Sequence, residues 1–243
     1  MQAIIIAGGK GERIQELGKE IPKLLLPLNN IPLIDHIIKT IKRNNVKEII
    51  ICTGHLSDKI KEYLEKKDYG IKIKISKEEK PLGTAGPLNI IKNSIKEDFF
   101  ILYGDLYMDI NLNNILKFHK QKNADATLVL HKSDHPWDST IVTINDDNKI
   151  NGFFEKPGKE FWKYNNLTNA ALYLVKKDII NFIEEEKKLD LAKDIFPLML
   201  KSNKKLYGYI TEEYIKDIGT PERYIEVEKK IRSENEENSS IHR

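Results

Sequence analysis

The chain has 243 residues, 40% hydrophobic and 32% charged, which is enough apolar material for one large or two small domains with a sizeable core. Its net charge is only +3 and its basic residues are dispersed among acidic ones, so there is no strong electrostatic case for a nucleic-acid or membrane partner. One cysteine, Cys52, excludes an intrachain disulfide; with no apolar run near the roughly 18 residues of a membrane helix and no leader ahead of Met1, a reducing cytoplasm is the expected compartment.

Ile4-Ile5-Ile6 reads as a buried strand ending in the turn Ala7-Gly8-Gly9-Lys10-Gly11-Glu12-Arg13. Apolar residues at 33, 34, 37, 38 and 41 have helical spacing, and 47–53 is a short apolar strand with Cys52 as a core thiol. Residues 56–67 read as a helix begun by Ser57 or Asp58, and the alternation of 71–75 as a strand with one wet face. Residues 84–95 follow as a helix with Pro87 in its first turn, then 99–103 as a buried strand. Strand and helix alternate this way to about residue 122, the pattern of a parallel sheet covered by helices. A helix at 112–118 precedes strand-like pieces at 126–130, 140–144, 150–155 and 168–175. Helices are expected at 179–186 and 191–200, strands at 205–210 and 214–217, and a closing helix at 221–231 with Pro near its start. Residues 233–243 are polar and expected to fray.

Several stretches could carry chemistry. In the first turn, glycines 8, 9 and 11 let the backbone approach an anion and turn N–H groups toward it, while Arg13 and Lys23 bring fixed positive charge, which suits a triphosphate. Neither the dinucleotide fingerprint nor the P-loop pattern fits there. Leu82-Gly83-Thr84-Ala85-Gly86, at a strand-to-helix turn, suits a ligand edge near backbone or a helix cap by Thr84. Asp105 follows a buried strand, the position where open α/β sheets bind ligands, and a carboxylate there is a natural Mg²⁺ ligand; Asp109 is a weaker candidate. Asp217, at another strand end before Gly219, is a second metal carboxylate, with Thr220 as N-cap and Pro221 at N1 of the helix that follows. Glu155 and Asn169 could take sugar hydroxyls and Lys156 a second phosphate. The histidines lack zinc spacing, and Ser139 lacks the context of a hydrolase nucleophile.

Together these stretches, with Pro22-Lys23, Gly104-Asp105, Glu155-Lys156-Pro157, Asn169 to Tyr173 and Asp217-Ile218-Gly219-Thr220-Pro221, resemble the sugar-phosphate nucleotidylyltransferases, in that family's order. Their motifs are most similar to those of the mannose and heptose 1-phosphate guanylyltransferases. The resemblance implies an α/β, Rossmann-like three-layer sandwich with a mostly parallel central mixed sheet, the nucleotide-diphospho-sugar transferase fold. Residues 1–232 would form a single nucleotidyltransferase domain and 233–243 a polar tail, without the family's C-terminal β-helix domain. Three departures stand out: Glu12 where the family has Thr, Asp138-Ser139-Thr140 in place of a Tyr-Gly pair, and Ala170-Ala171 where a Gly is usual. The last two concern sugar contacts.

The implied reaction joins an NTP and a sugar 1-phosphate into an NDP-sugar and pyrophosphate. Arg13, Lys23 and Asp105 would be catalytic; Ala7, Gly8, Gly9, Gly11, Gly83 and Thr84 would hold the nucleotide. Glu155, Lys156 and Asn169 would hold the sugar phosphate, and Asp105 and Asp217, at strand ends on one edge of the sheet, would hold Mg²⁺. Glu78 and Glu79 lead into the turn where this family lays its base. A carboxylate accepts both donors of guanine, N1–H and the 2-amino group, and repels the carbonyls of uracil or thymine, so GTP is expected. The expected acceptor is manno-configured, a heptose 1-phosphate ahead of mannose 1-phosphate. Uridylyl, thymidylyl or cytidylyl transfer to another sugar remains open. So does a non-catalytic nucleotide-sugar-binding subunit, and a homo-oligomer is compatible with either.

Overall fold

In the computed structural model, residues 1–9, 21–133, 139–155 and 166–241 are described, with side chains through 236. The first strand, β1 (Gln2–Ala7), is buried on both faces, as its unbroken apolar run requires. A hairpin of β2 (Pro27–Leu28) and β3 (Ile31–Pro32) follows, turning through Asn29 and Asn30 at φ +48° and +64°, values asparagine tolerates. Next come α1 (Leu33–Arg43), β4 (Glu48–Thr53), α2 (Ser57–Glu65), β5 (Lys72–Lys77), α3 (Gly86–Ile90), β6 (Phe99–Tyr103), β7 (Leu106–Asp109) and α4 (Leu112–Lys122). The second half adds β8 (Ala126–Lys132), β9 (Thr140–Ile144), β10 (Ile150–Glu155), β11 (Leu167–Val175), α5 (Phe196–Lys201), β12 (Leu206–Ile210), β13 (Tyr214–Asp217) and α6 (Pro221–Ile241).

Among the described residues, nine strands form one mixed sheet. Its first half, β6-β1-β4-β5, is wholly parallel. β11 joins β6 antiparallel, β8 and β12 extend from β11, and β9–β10 join it at Thr168–Ile141. From β1 the chain runs outward through β4 and β5, then returns to place β6 on the other side of β1. That reversal is a topological switch point, and crevices for ligands open beyond the carboxyl ends of strands at such points.

The two-residue period of the strands sorts the core into two layers. Ala3, Ile5, Ile49, Ile51, Phe100 and Leu102 pack with α1, α2, α4 and α6. Ile4, Ile6, Ile50, Cys52, Phe99 and Ile101 pack with α3 and α5 on the opposite face. The sheet thus lies between two helical layers, the three-layer arrangement expected. Cys52 is the buried core thiol anticipated; burial, helped by the charge of Glu78, pushes its pKa up to about 12.

Several element boundaries differ from the sequence expectation. The helix expected over 84–95 begins at Gly86 and gives way to a 3-10 turn at Lys92–Ser94. Thr84 does not cap α3; its hydroxyl donates to Asp190 Oδ2 at 2.9 Å and accepts the Leu191 N–H at 2.8 Å. Residues 179–186 are not a helix; a 3-10 stretch (Lys177–Phe182) stops there, and Asn89 Nδ2 takes the Ile183 carbonyl at 2.7 Å. Leu191–Ile195 is a single π-type turn capped by Asp190 ahead of α5. The Ser57 hydroxyl pairs with Thr53 Oγ1 at 2.7 Å and leaves the start of α2 uncapped by a side chain. α6 continues to Ile241 through the stretch expected to fray. β13 pairs with β7 in a separate two-stranded ribbon, so Asp217 does not end a strand of the central sheet.

Candidate active site

A cleft of about 350 Å³ opens at the switch point. Ala7, Gly8 and Gly9 enter it from the end of β1, Tyr103, Gly104 and Asp105 from the end of β6, and Lys23 from the loop before β2. His55 and Leu56 come from beyond β4, and Glu78, Pro81, Gly83 and Thr84 from beyond β5. Motifs far apart in sequence meet because parallel strands deliver their carboxyl ends to one edge.

Gly8 and Gly83 in the cleft, and Gly54 beside it, are glycine for local reasons. A Cβ at Gly8 would stand 2.1 Å from Glu78 Oε1, and one at Gly54 would stand 3.0 Å from the same atom. The Glu78 carboxylate therefore lies flat across two glycine backbones. Glu78 is 8% exposed, its Oε2 accepts the Leu82 N–H at 3.2 Å, and burial raises its pKa against that bond. Gly83 adopts φ +77°, and a Cβ there would meet the Leu189 carbonyl at 2.3 Å. The 82–85 turn is laced to 189–191 by Leu189 N–H to Leu82 O at 3.0 Å and Ala85 N–H to Leu189 O at 2.9 Å. Lys188, adjoining this lacing, lines the cleft.

Lys23 Nζ lies 3.0 Å from Asp105 Oδ2 at the floor. Asp105 precedes β7, and its carbonyl accepts the Ile218 N–H at 2.8 Å, so the β7–β13 ribbon carries Asp217 toward it. A Cβ built at Gly219 would stand 2.7 Å from Asp217 Oδ1 and 3.9 Å from Asp105 Oδ2. Two hard carboxylate donors thus converge where glycine leaves room, and this donor set fits Mg²⁺, which takes one or two protein carboxylates beside phosphate and water. Arg223 Nη1 also donates to both Asp217 oxygens, at 3.0 and 2.9 Å.

The other expected site residues are more dispersed. Glu79 is exposed and lines no part of the cleft, and Asp109 pairs with Arg43 away from it. Glu155 ends β10 and pairs with Lys193. Asn169 Nδ2 donates to the Tyr173 hydroxyl at 2.8 Å, and its Oδ1 accepts the Ala171 N–H at 3.0 Å, across an irregular step in β11. Tyr173 lies edge-on to Tyr103, at 6.1 Å between ring centroids, and Tyr103 lines the cleft beside Thr84. Aromatic rings therefore connect Asn169 to the cleft. Gly11, Arg13 and Lys156, with most of the 135–139 stretch, lie outside the described residues. Sequence reasoning missed Lys188, Tyr103, His55 and the Asp217–Arg223 pair. Lys188 sits in a run of Glu and Lys that reads as solvated surface, and Arg223 reads as an ordinary charge of a first helical turn.

No helix among the described residues is long and apolar enough to cross a membrane. The sequence profile of the family described as Nucleotidyl transferase matches residues 2–234. The mannose-1-phosphate guanyltransferase of Saccharomyces cerevisiae is 33% identical over 232 residues, 93% of this chain and 63% of that protein. The D-glycero-alpha-D-manno-heptose 1-phosphate guanylyltransferase of Campylobacter jejuni is 34% identical over 227 residues, 92% of this chain and 97% of that protein. The chain therefore spans less than two thirds of the yeast relative and nearly the whole of the bacterial one. In fold it is similar to HddC from Yersinia pseudotuberculosis, with a TM-score of 0.82 and 23% identity over 95% of this chain and 99% of that one. HddC complexed with GMP-PN superposes with a TM-score of 0.80.

Proposed function

The chain belongs to the nucleotidyl transferase family, and from that premise we propose that it transfers guanylate from GTP to a manno-configured sugar 1-phosphate, releasing pyrophosphate. The observation that carries this reading is the Glu78 carboxylate, buried across Gly8 and Gly54 beside the Gly83 turn. It is an acceptor fixed at the cleft wall, matched to the two donors on the guanine edge. Glu79, being exposed, has no part in it. The names of the yeast and Campylobacter relatives support the base and point to mannose or heptose 1-phosphate as the acceptor. Residues 1–232 are taken as one nucleotidyltransferase domain, in keeping with two core layers that share a single sheet.

Bringing two phosphate anions together is the central difficulty, so positioning and charge neutralisation should dominate catalysis. Ala7, Gly8 and Gly9 present backbone to the triphosphate, and Lys23, leaving Asp105, would neutralise it; Arg13 and Lys156 are assigned to the leaving pyrophosphate and the sugar phosphate. Asp105 and Asp217 would hold Mg²⁺, which when bound offsets phosphate charge. The attacking phosphate oxygen is already ionised and needs no general base. The test is pyrophosphate release from GTP, UTP, dTTP, CTP and ATP, each with mannose, heptose and glucose 1-phosphates, in the intact protein and in Glu78→Gln. GTP with a manno-configured acceptor is expected, with discrimination weakened in Glu78→Gln. Equal use of UTP or dTTP by the intact protein would refute the assignment of the base.

A further inference from the structure

Each of the two carboxylates assigned to the metal already carries a cation of this chain. Lys23 holds Asp105 through one contact of 3.0 Å. Asp217 is held more completely: Arg223 reaches both its oxygens, at 3.0 and 2.9 Å, and Oδ1 also accepts the Gly219 N–H at 3.0 Å. We propose that Arg223 competes with the metal for Asp217, so that the divalent ion enters with the nucleotide rather than ahead of it. This competition presupposes Asp105 and Asp217 as metal ligands, as in the function proposed above.

The chemistry of the pair suits such a role. A guanidinium stays charged at every working pH, so it occupies the carboxylate throughout. Mg²⁺ sheds water reluctantly and takes few protein carboxylates, so one whose oxygens already accept N–H bonds is a poor ligand. The pair is also exchangeable: side-chain exposure is 30% for Arg223 and 36% for Asp217, and solvent moderates their attraction. A bound triphosphate tips the balance, because it supplies further oxygens to the ion and draws Lys23 from Asp105. By linkage, the nucleotide then tightens metal binding by the same factor as the metal tightens nucleotide binding. Arg223 is on this account a positioning residue acting through Asp217. If it merely oriented Asp217 for the metal, its removal would weaken metal binding; as a competitor, its removal strengthens it.

The experiment is a titration of Mn²⁺ against the full chain without nucleotide, with free ion read by electron paramagnetic resonance. Arg223→Gln should bind Mn²⁺ about three- to tenfold more tightly than the parent protein. Arg223→Lys, which keeps the charge and loses the planar fork, should fall between them. Adding Asp217→Asn to Arg223→Gln should cancel the gain. Circular dichroism reports folding, and if Arg223→Gln does not fold, Arg223→Lys alone decides. Unchanged or weaker Mn²⁺ binding in the folded variants, or a gain that survives Asp217→Asn, overturns the proposal. If guanylyl transfer is absent while the gain and its cancellation persist, the competition stands and the proposed reaction falls. If transfer proceeds without the gain, the reverse holds.

Discussion

Ala171 shows how a single residue can hold backbone strain beside a site. It adopts φ +56°, where an L side chain is strained by about 1–2 kcal/mol, within the Ala170-Ala171 pair that stands where the family resemblance leads one to expect a glycine. The strain is held by Asn169, whose Oδ1 accepts the Ala171 N–H, and by strand pairing that resumes at Tyr173. Ala171→Gly should relieve it, less the extra chain entropy that glycine brings to the unfolded state. The expected net gain is about 0.5–1 kcal/mol, read as an upward shift of the urea midpoint with an unchanged slope. A lower midpoint would mean that the alanine methyl packs well enough to outweigh the strain. Other residues tell in the opposite sense: Gly8 and Gly83 are legible in sequence as glycines of a tight turn, but the atoms that forbid a side chain there are not. Those atoms belong to Glu78 and Leu189, remote in sequence and brought in by tertiary packing.

Elements were legible where one local rule dominates. The buried strands and α1 were placed within a residue or two, because their apolar period is set by the chain itself. Helix limits were not legible where a distant partner sets them: Asp190 engages Thr84 and delays α3, and Asn89 takes the Ile183 carbonyl where the 3-10 stretch ends. The β7–β13 ribbon escaped for the same reason, since its register depends on pairing across about half the chain. The candidate site was legible as a set of motifs, while its internal contacts, such as Arg223 on Asp217, were not. The lacing of 82–85 to 189–191 gives a test at this scale. Thr84→Val keeps the shape but leaves Asp190 Oδ2 without its donor and the Leu191 N–H without its acceptor. A loss of about 1–3 kcal/mol in stability is expected. KM for GTP should rise while that for the sugar 1-phosphate holds; a rise in both would mean that the lacing supports the whole cleft.

For the molecule as a whole, one sheet serves two core layers, so a buried ionisable group in either layer bears on the stability of the entire fold. His119, on α4, is 3% exposed; its Nδ1 lies 2.8 Å from Thr127 Oγ1, and its Nε2 has no hydrogen-bond partner. Burial, aided by Lys176 and Lys120 and opposed by Asp125, pushes its pKa down to about 4, and the Asp98 carboxylate at 3.9 Å does not reverse this. The unfolded chain protonates this imidazole near 6.5, before the folded one does, so its contribution is whole above pH 6.5 and is lost as pH falls toward 4. The loss amounts to about 3 kcal/mol at most. His36 and His131, lowered by burial, act in the same sense, whereas Glu78 and Asp98, raised by burial, partly offset them. Glu48, held at about 2 by Lys74, Gln2 and Lys72 against its burial, adds a separate loss below pH 4.5. Urea unfolding between pH 7.5 and 4 should therefore show stability falling from about pH 6.5 downward. His119→Gln, which cannot titrate, should start less stable and flatten that fall. Parallel curves for the two proteins would mean that His119 opens to solvent and protonates without unfolding the sheet.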